Sequence, residues 1–266
     1  MMMIKTFFKF KNIPFAKDIP TKQIFLSNSL KELLSRFDYL KQHRGLMLLT
    51  GQPGVGKSLA LRSFVDSLNP NLYFIVYLPL TTISELEFYR QLCFQLTGQT
   101  YHRKTTCFNT MQNAIIDLVK NNKKVPVIII DEAHLLLPQN LHEIQIILNF
   151  DIDSTDPALF ILSGQTHLKD IISRPVHKSL NQRFSLKYTL MPLEKQEIKN
   201  YIIHHLSLVG CKEQLFSDSA IEALYLNSAG NPRDLGNLAL KALTAAASLK
   251  KSNISEEEVY AASKEI

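Results

Sequence analysis

The sequence predicts an α/β fold: a parallel five-stranded sheet flanked by helices, followed by a small all-helical domain. Three observations carry this reading. From residue 46 to about 190, short apolar runs alternate with amphipathic stretches, the pattern of strands joined by crossover helices. The run Val125–Ile130 is apolar throughout, as expected of a strand covered on both faces. From Glu194 onward the strand signals stop and only helical ones remain.

The elements follow in order. Ser29-Leu30-Lys31-Glu32 reads as a capping box opening a helix, with Leu30, Leu33, Leu34, Phe37 and Leu40 at helical spacing. A short strand, Leu46–Thr50, runs directly into glycines, and a helix is expected near Lys57–Leu68. The second strand is Tyr73–Leu78. Thr82-Ile83-Ser84-Glu85 opens another helix that carries Leu86, Phe88, Leu92 and Leu96. After Val125–Ile130 come a helix over about Leu141–Phe150, a fourth strand at Ala158–Leu162, and a weaker fifth near Leu186–Leu190. The remaining helices are expected at about 194–208, 218–228 with Ser217 as N-cap, 232–249, and 255–264 behind the box Ser255-Glu256-Glu257-Glu258. The predicted organisation is a basic, aromatic segment and helix at 1–45, a core at 46–192 and a helical lid at 193–266.

Hydrophobic residues make up 45% and charged residues 20% of the 266, the balance of a soluble globular protein. No run of about 18 uncharged apolar residues exists, so no membrane span is expected, and no signal peptide is read at the start. Cys93, Cys107 and Cys211 stand far apart in no metal-binding spacing. They are expected to be reduced thiols of a cytoplasmic protein. Residues 1–50 hold nine Lys/Arg against three acids, which accounts for the whole net charge of +6. So uneven a basic surface suits a polyanion such as DNA, and equally a solvated face.

Gly51-Gln52-Pro53-Gly54-Val55-Gly56-Lys57-Ser58 fits the phosphate-binding pattern G-x-x-x-x-G-K-[ST], between a strand and a helix as that motif requires. Glycines let the backbone curl so that several N–H groups face one anion, and the helix N-terminus adds its dipole. Residues Gly51 to Leu59 are therefore expected to hold ATP, with Lys57 on the β- and γ-phosphates and Ser58 on Mg²⁺. Asp131-Glu132 follows the third strand at the carboxyl edge of the sheet, where such sheets place ligands. Asp131 is expected to hold Mg²⁺ through water and Glu132 to take the proton of the attacking water. The fourth strand ends in Ser163-Gly164-Gln165. Gln165, ahead of Ser163 by register, could contact the γ-phosphate or the lytic water, or make only local hydrogen bonds. By spacing alone Arg183 and Arg233 could each be surface arginines. Between 99 and 124, five basic residues face only Asp117. Arg103 and Lys104, read as loop residues beside Tyr101, are the expected phosphate contacts for largely sequence-neutral duplex DNA, with a solvated loop as the alternative.

Taken together, these residues resemble the AAA+ ATPases, P-loop NTPases, and more narrowly their ExeA-like branch. The resemblance runs through Phe7-Phe8-Lys9-Phe10, Pro14-Phe15, the phosphate-binding loop, Ile129-Ile130-Asp131-Glu132-Ala133-His134-Leu135, Leu162-Ser163-Gly164-Gln165, Arg183-Phe184 and Gly230-Asn231-Pro232-Arg233. It implies that Gln165, less securely Ser163, is the sensor at the end of the fourth strand. Arg183 would be the finger reaching a neighbouring subunit's ATP, Arg233 the lid's sensor, and the N-terminal Phe/Pro segment a neighbour of the adenine. The branch divides between secretion proteins, with membrane anchors and cell-wall-binding extensions, and helper ATPases of transposable elements. The length, basic charge and absence of extra domains favour the second: an ATP-hydrolysing homo-oligomer with shared sites that assembles on DNA and recruits a transposase encoded nearby, away from membranes. The alternatives are a secretion ATPase and a nucleotide-gated scaffold with little hydrolysis. An origin-binding initiator is disfavoured because little sequence follows Ile254.

Overall fold

Four runs rich in Leu, Ile and Val and a fifth of mixed composition form one sheet in the computed structural model, which describes residues 2–79, 82–151 and 154–264. The outermost residues of the expected first and last segments, Met1, Glu265 and Ile266, lie outside the described residues. The strands are β1 (Gly45–Gly51), β2 (Tyr73–Leu78), β3 (Val125–Ile130), β4 (Leu159–Gly164) and β5 (Phe184–Leu190). Their order is β2-β3-β4-β1-β5, with every pairing parallel. Every residue of β1 and β4 is buried, as is all of β3 after Val125. That is why these strands read as continuous apolar runs rather than alternating ones.

The described helices, in chain order, are α1 (Met2–Phe7), α2 (Asn28–His43), α3 (Lys57–Ser67), α4 (Glu85–Thr97), α5 (Lys104–Lys120), α6 (Pro138–Ile147), α7 (His167–Ser173), α8 (Lys178–Arg183), α9 (Lys195–Leu208), α10 (Asp218–Ser228), α11 (Pro232–Ser248) and α12 (Glu256–Ser263). The chain groups into two compact units. A sheet unit holds Glu32–Pro53 and Lys57–Leu190, and a helical unit holds Met1–Lys31, Gly54–Gly56 and Met191–Ile266. The N-terminal segment is therefore divided, with residues up to Lys31 in the helical unit. Ile4 and Phe10 explain this, since they are buried there with Ile198, Ile202 and Leu206 of α9 and Leu243 of α11.

Several sequence expectations shift. The cap of α2 is Ser27, whose Oγ accepts the Leu30 N–H at 3.2 Å. Ser29 instead accepts the Met191 N–H at 2.9 Å, and Glu32 pairs with Arg36 one turn on. Ser84, not Thr82, caps α4 by accepting the Glu87 N–H. Pro138 starts α6 three residues before the expected Leu141, a position that suits proline because no N–H is needed there. Helices α1, α7 and α8 have six or seven residues, too few to show a period. No helix is expected over 104–120, where Lys104 reads as a loop residue, yet Cys107, Met111 and Ile115 form a buried face at four-residue spacing. Its opening Lys-Thr-Thr-Cys-Phe-Asn-Thr is poor in strong helix formers, so burial of that face, rather than propensity, makes it helical.

At α12 the expected capping box is present. The Glu258 carboxylate accepts the Ser255 N–H at 2.8 Å and the Lys251 ammonium at 2.5 Å, and Glu258 is only 3% exposed. Burial alone would raise its pKa, but the hydrogen bonds from Lys251 and Ser255 outweigh it and lower the value to about 2. A depressed carboxyl stabilises the fold above its ordinary value of 4.5 and loses that contribution as pH falls toward 2. Replacing Glu258 by Gln should therefore cost about 2 kcal/mol at pH 7. The difference in urea midpoint from wild type should narrow steadily below the ordinary carboxyl range, and a gap that does not change with pH would contradict the assignment.

Candidate active site

β1 delivers the phosphate-binding loop to the carboxyl edge of the sheet, and α3 begins at Lys57. Gly54 and Gly56 have φ of +82° and +110°, angles that side-chain-bearing residues rarely adopt. The loop tip Gly54–Gly56 groups with the helical unit. There a Cβ on Gly54 would stand 2.7 Å from Asn231 Oδ1 and 2.9 Å from Arg233 Cβ, whereas at Gly56 it would meet nothing. Space and angle both demand glycine at 54, and the angle alone at 56. Lys57 is 7% exposed, and its ammonium donates to the carbonyls of Gly51 at 2.9 Å and Gln52 at 3.0 Å. Val55 is buried, Leu59 half-buried, and Gln52, Pro53 and Ser58 are exposed.

Asp131 lies one residue beyond β3 and is 4% exposed. Its Oδ2 accepts hydrogen bonds from Ser58 Oγ at 3.3 Å and Tyr77 Oη at 3.0 Å, and its Oδ1 from the Glu132 N–H at 3.0 Å. Tyr77 reaches it from β2, which pairs directly with β3. Burial, aided by the Asp131 charge, lifts the Tyr77 phenol to about 12, so it remains a donor across the working range. Glu132 takes a left-handed backbone, φ 50° and ψ 34°, a conformation that costs energy for a residue with a side chain. Its carboxylate Oε2 lies 3.3 Å from His134 Nδ1. The Gln165 N–H, just past β4, donates to the same Nδ1 at 3.4 Å. A Cβ on Gly164 would stand 3.1 Å from His134 N and 2.8 Å from Leu168 Cδ2, so the small residue lets the His134 turn approach β4.

The two sensor candidates on β4 differ. Ser163 is fully buried and its Oγ has no hydrogen-bond partner among the described residues, whereas Gln165 stands half-buried beyond the strand end. Arg183 closes α8, and the next residue, Phe184, pairs with Leu46 at the start of β1. It sits at the amino edge, about 17 Å along β1 from Gly51 at roughly 3.3 Å per residue, farther than its side chain extends. Arg233 is exposed in the first turn of α11, whose cap Asn231 accepts the Arg233 N–H at 3.1 Å. Phe15 stacks on His205 with centroids 5.0 Å apart, and Pro14 and Phe15 border a cleft of about 520 Å³ with Lys5, Asp18 and His205.

Lys104 corrects an expectation. It is the first residue of α5, not a loop residue, and its ammonium binds Glu143 Oε1 at 2.6 Å and Glu85 Oε2 at 3.1 Å over the Tyr89 ring. Glu143 is 5% exposed, so withdrawing that ammonium would leave a carboxylate buried. Lys104 is a tie among α4, α5 and α6 rather than a ready phosphate contact. Arg103, the N-cap residue of α5, is exposed.

A family model described as an AAA domain matches residues 40–172, half of the chain. The chain belongs to this family of AAA domains. It is similar to general secretion pathway protein A of Aeromonas hydrophila, 28% identical over 247 residues, and spans 92% of this chain but only 45% of that relative. Solved structures share its fold. The chain of the Drosophila ORC structure bound to DNA matches with TM-score 0.71 at 16% identity, over 98% of this chain and 65% of that one. Cdc6p from Pyrobaculum aerophilum matches at 0.66 and 15%, over 98% and 71%. The Thermotoga maritima RuvB Holliday junction branch migration motor matches at 0.58 and 20%, over 97% and 72%.

In this AAA domain the oxygen donors fit the hard cation that accompanies a nucleotide triphosphate. Ser58 Oγ and Asp131 Oδ2 lie 3.3 Å apart beside the loop, a carboxylate and a hydroxyl of the kind Mg²⁺ takes alongside water and phosphate oxygens. Tyr77 escaped the sequence reading because it resembles one more apolar residue of a strand; its place beside Asp131 comes from β2–β3 register. Tyr77→Phe should weaken Mg²⁺-dependent ATP binding by about 1 kcal/mol, measured by calorimetry with and without Mg²⁺, with little change in thermal midpoint. Unaltered Mg²⁺ dependence would mean that the phenol does not orient Asp131.

Proposed function

We propose that this AAA domain hydrolyses ATP at a site completed by a second copy of the chain, and that it acts on DNA as a transposition helper. The observation that carries the catalytic part is the constellation at one sheet edge: Ser58 and Tyr77 on Asp131, and Glu132 beside His134, which the Gln165 amide also reaches. On this reading Lys57 gives up its two loop carbonyls for the phosphates. Ser58 would hold Mg²⁺ directly and Asp131 through water, and the ion would supply charge neutralisation at the phosphate oxygens. Glu132 accepts the proton of the attacking water, and Gln165 orients that water. Arg233, whose Cβ faces Gly54 of the loop tip, senses the nucleotide, and the Phe15 segment borders the adenine.

DNA service is supported by the basic N-terminal charge and by a fold shared with proteins solved on DNA; recruitment of a transposase encoded nearby is what the family resemblance implies. The secretion relative supports a second reading, a secretion-system ATPase, through its 28% identity across 92% of the chain. Dependence on DNA or on membranes separates the two.

Two experiments test the assignment. Arg183 lies too far from its own loop to act there, and the family resemblance gives it the role of a finger serving a neighbour, where such arginines contribute about 10³–10⁵ in rate. Lys57→Ala and Arg183→Ala should each be inactive alone, and mixing them should restore part of the activity, since a mixed interface joins an intact loop to an intact arginine. A mixture that stays dead while mixed oligomers form excludes Arg183 from the neighbour's site.

For DNA, Arg103→Ala should lower affinity for unrelated duplexes alike and reduce the salt slope by about one without loss of stability. Lys104→Met should destabilise the fold instead. Loss of affinity for one sequence only would rule out a phosphate contact at Arg103.

A further inference from the structure

His134 Nδ1 is shared by two groups that require opposite things of it. The Gln165 N–H donates to it at 3.4 Å, which needs a lone pair; the Glu132 carboxylate lies 3.3 Å away, which needs a proton. A neutral imidazole has one N–H, so both demands cannot be met at once. The surroundings favour the neutral ring. Its side chain is 5% exposed, and burial lowers its pKa, as do the charges of His167 and Lys57, against Glu132 and Asp131, which raise it. His167 stands edge-on at 4.9 Å, and Gly164 is small enough for the turn to press against the end of β4.

We propose that His134 is the positioning residue for Glu132: one tautomer holds the carboxylate, and the other, taken by the Gln165 amide, releases it. This rests on the reading of Glu132 as the base. In the released state the ring proton is on Nε2 and the Nδ1 lone pair faces the carboxylate, turning it toward solvent. When the end of β4 shifts and the Gln165 N–H withdraws, a proton leaves Nε2 to water and one arrives on Nδ1, so the ring stays neutral. Nδ1–H then donates to Oε2 and fixes the carboxylate, leaving Oε1 to face the attacking water. Contact of the Gln165 side chain with the terminal phosphate would thus be transmitted to the base through a single nitrogen.

The tautomer is read directly by ¹⁵N NMR of the histidine rings, with no turnover required. Proton on Nε2 in the ligand-free protein and on Nδ1 with a non-hydrolysable ATP analogue and Mg²⁺ is the expected result; the same tautomer in both states overturns the proposal. In kinetics, His134→Ala should lower kcat about ten-fold or more and leave KM for ATP nearly unchanged. His134→Asn, whose amide can donate where Nδ1 does, should recover much of that loss. In a Glu132→Gln background His134→Ala should add nothing. Equal losses in both backgrounds, or a loss confined to KM, place the ring's role elsewhere. Glu132→Gln turning over at the wild-type rate would instead end the assignment of Glu132 as base, an outcome distinct from the NMR result.

Discussion

Parallel pairing of β3, β4 and β1 is the constraint on which the remainder of the site depends. In a parallel sheet all strands end on the same edge, so Gly51, Asp131 and Gln165 arrive together although they are distant in sequence. Register refines this. Leu49 pairs with Ser163, and Ile130 pairs with Leu162, so Asp131 emerges level with Ser163, and Gln165 two residues further on, level with Gly51. The Ser58–Asp131 and Gln165–His134 contacts are consequences of that alignment. Burial on both faces holds it in place, because a slip of one residue would reverse which side chains each face presents.

Motifs whose chemistry needs particular residue types at close spacing were legible in the sequence. The loop 51–58 and the Asp131–Glu132 pair carry their own context, a strand before and a turn after, and β2 and β3 fall where the apolar runs place them. The fold class was legible for the same reason: a fully buried strand cannot alternate. Contacts between elements were not legible. Nothing local marks Tyr77 as different from any other strand tyrosine, and only the pairing Leu78↔Ile130 sets it beside Asp131. His134 was visible as a residue, but its position against Gln165 depends on Gly164 at the end of another strand.

Lys104 shows how charge counting misleads when an element is missed. Five basic residues between 99 and 124 look like a patch if the segment is a loop. Once α5 forms, Cys107, Met111 and Ile115 must face inward, and that orientation turns Lys104 toward Glu85 and Glu143. Burial of Glu143 then demands a partner for its carboxylate, and both Lys104 and the Tyr89 hydroxyl, at 2.7 Å, meet the demand. The charge is consumed inside the fold.

The same parallelism that gathers Lys57, Asp131 and Gln165 carries Arg183 away from them. It precedes β5, so it must start where β5 starts, at the edge opposite the loop. No side-chain rotation can bridge the length of a strand, and moving Arg183 to the loop within one chain would require pulling β5 out of the sheet. The Asp131 carboxylate beside the loop and the Arg183 guanidinium are thereby kept a strand's length apart within one chain. On the near side, the turn that follows β3 holds Glu132 in a left-handed backbone at φ 50°, and the same turn brings the His134 ring within 3.3 Å of its carboxylate, so the acid and its neighbour arrive together at the edge where the loop begins.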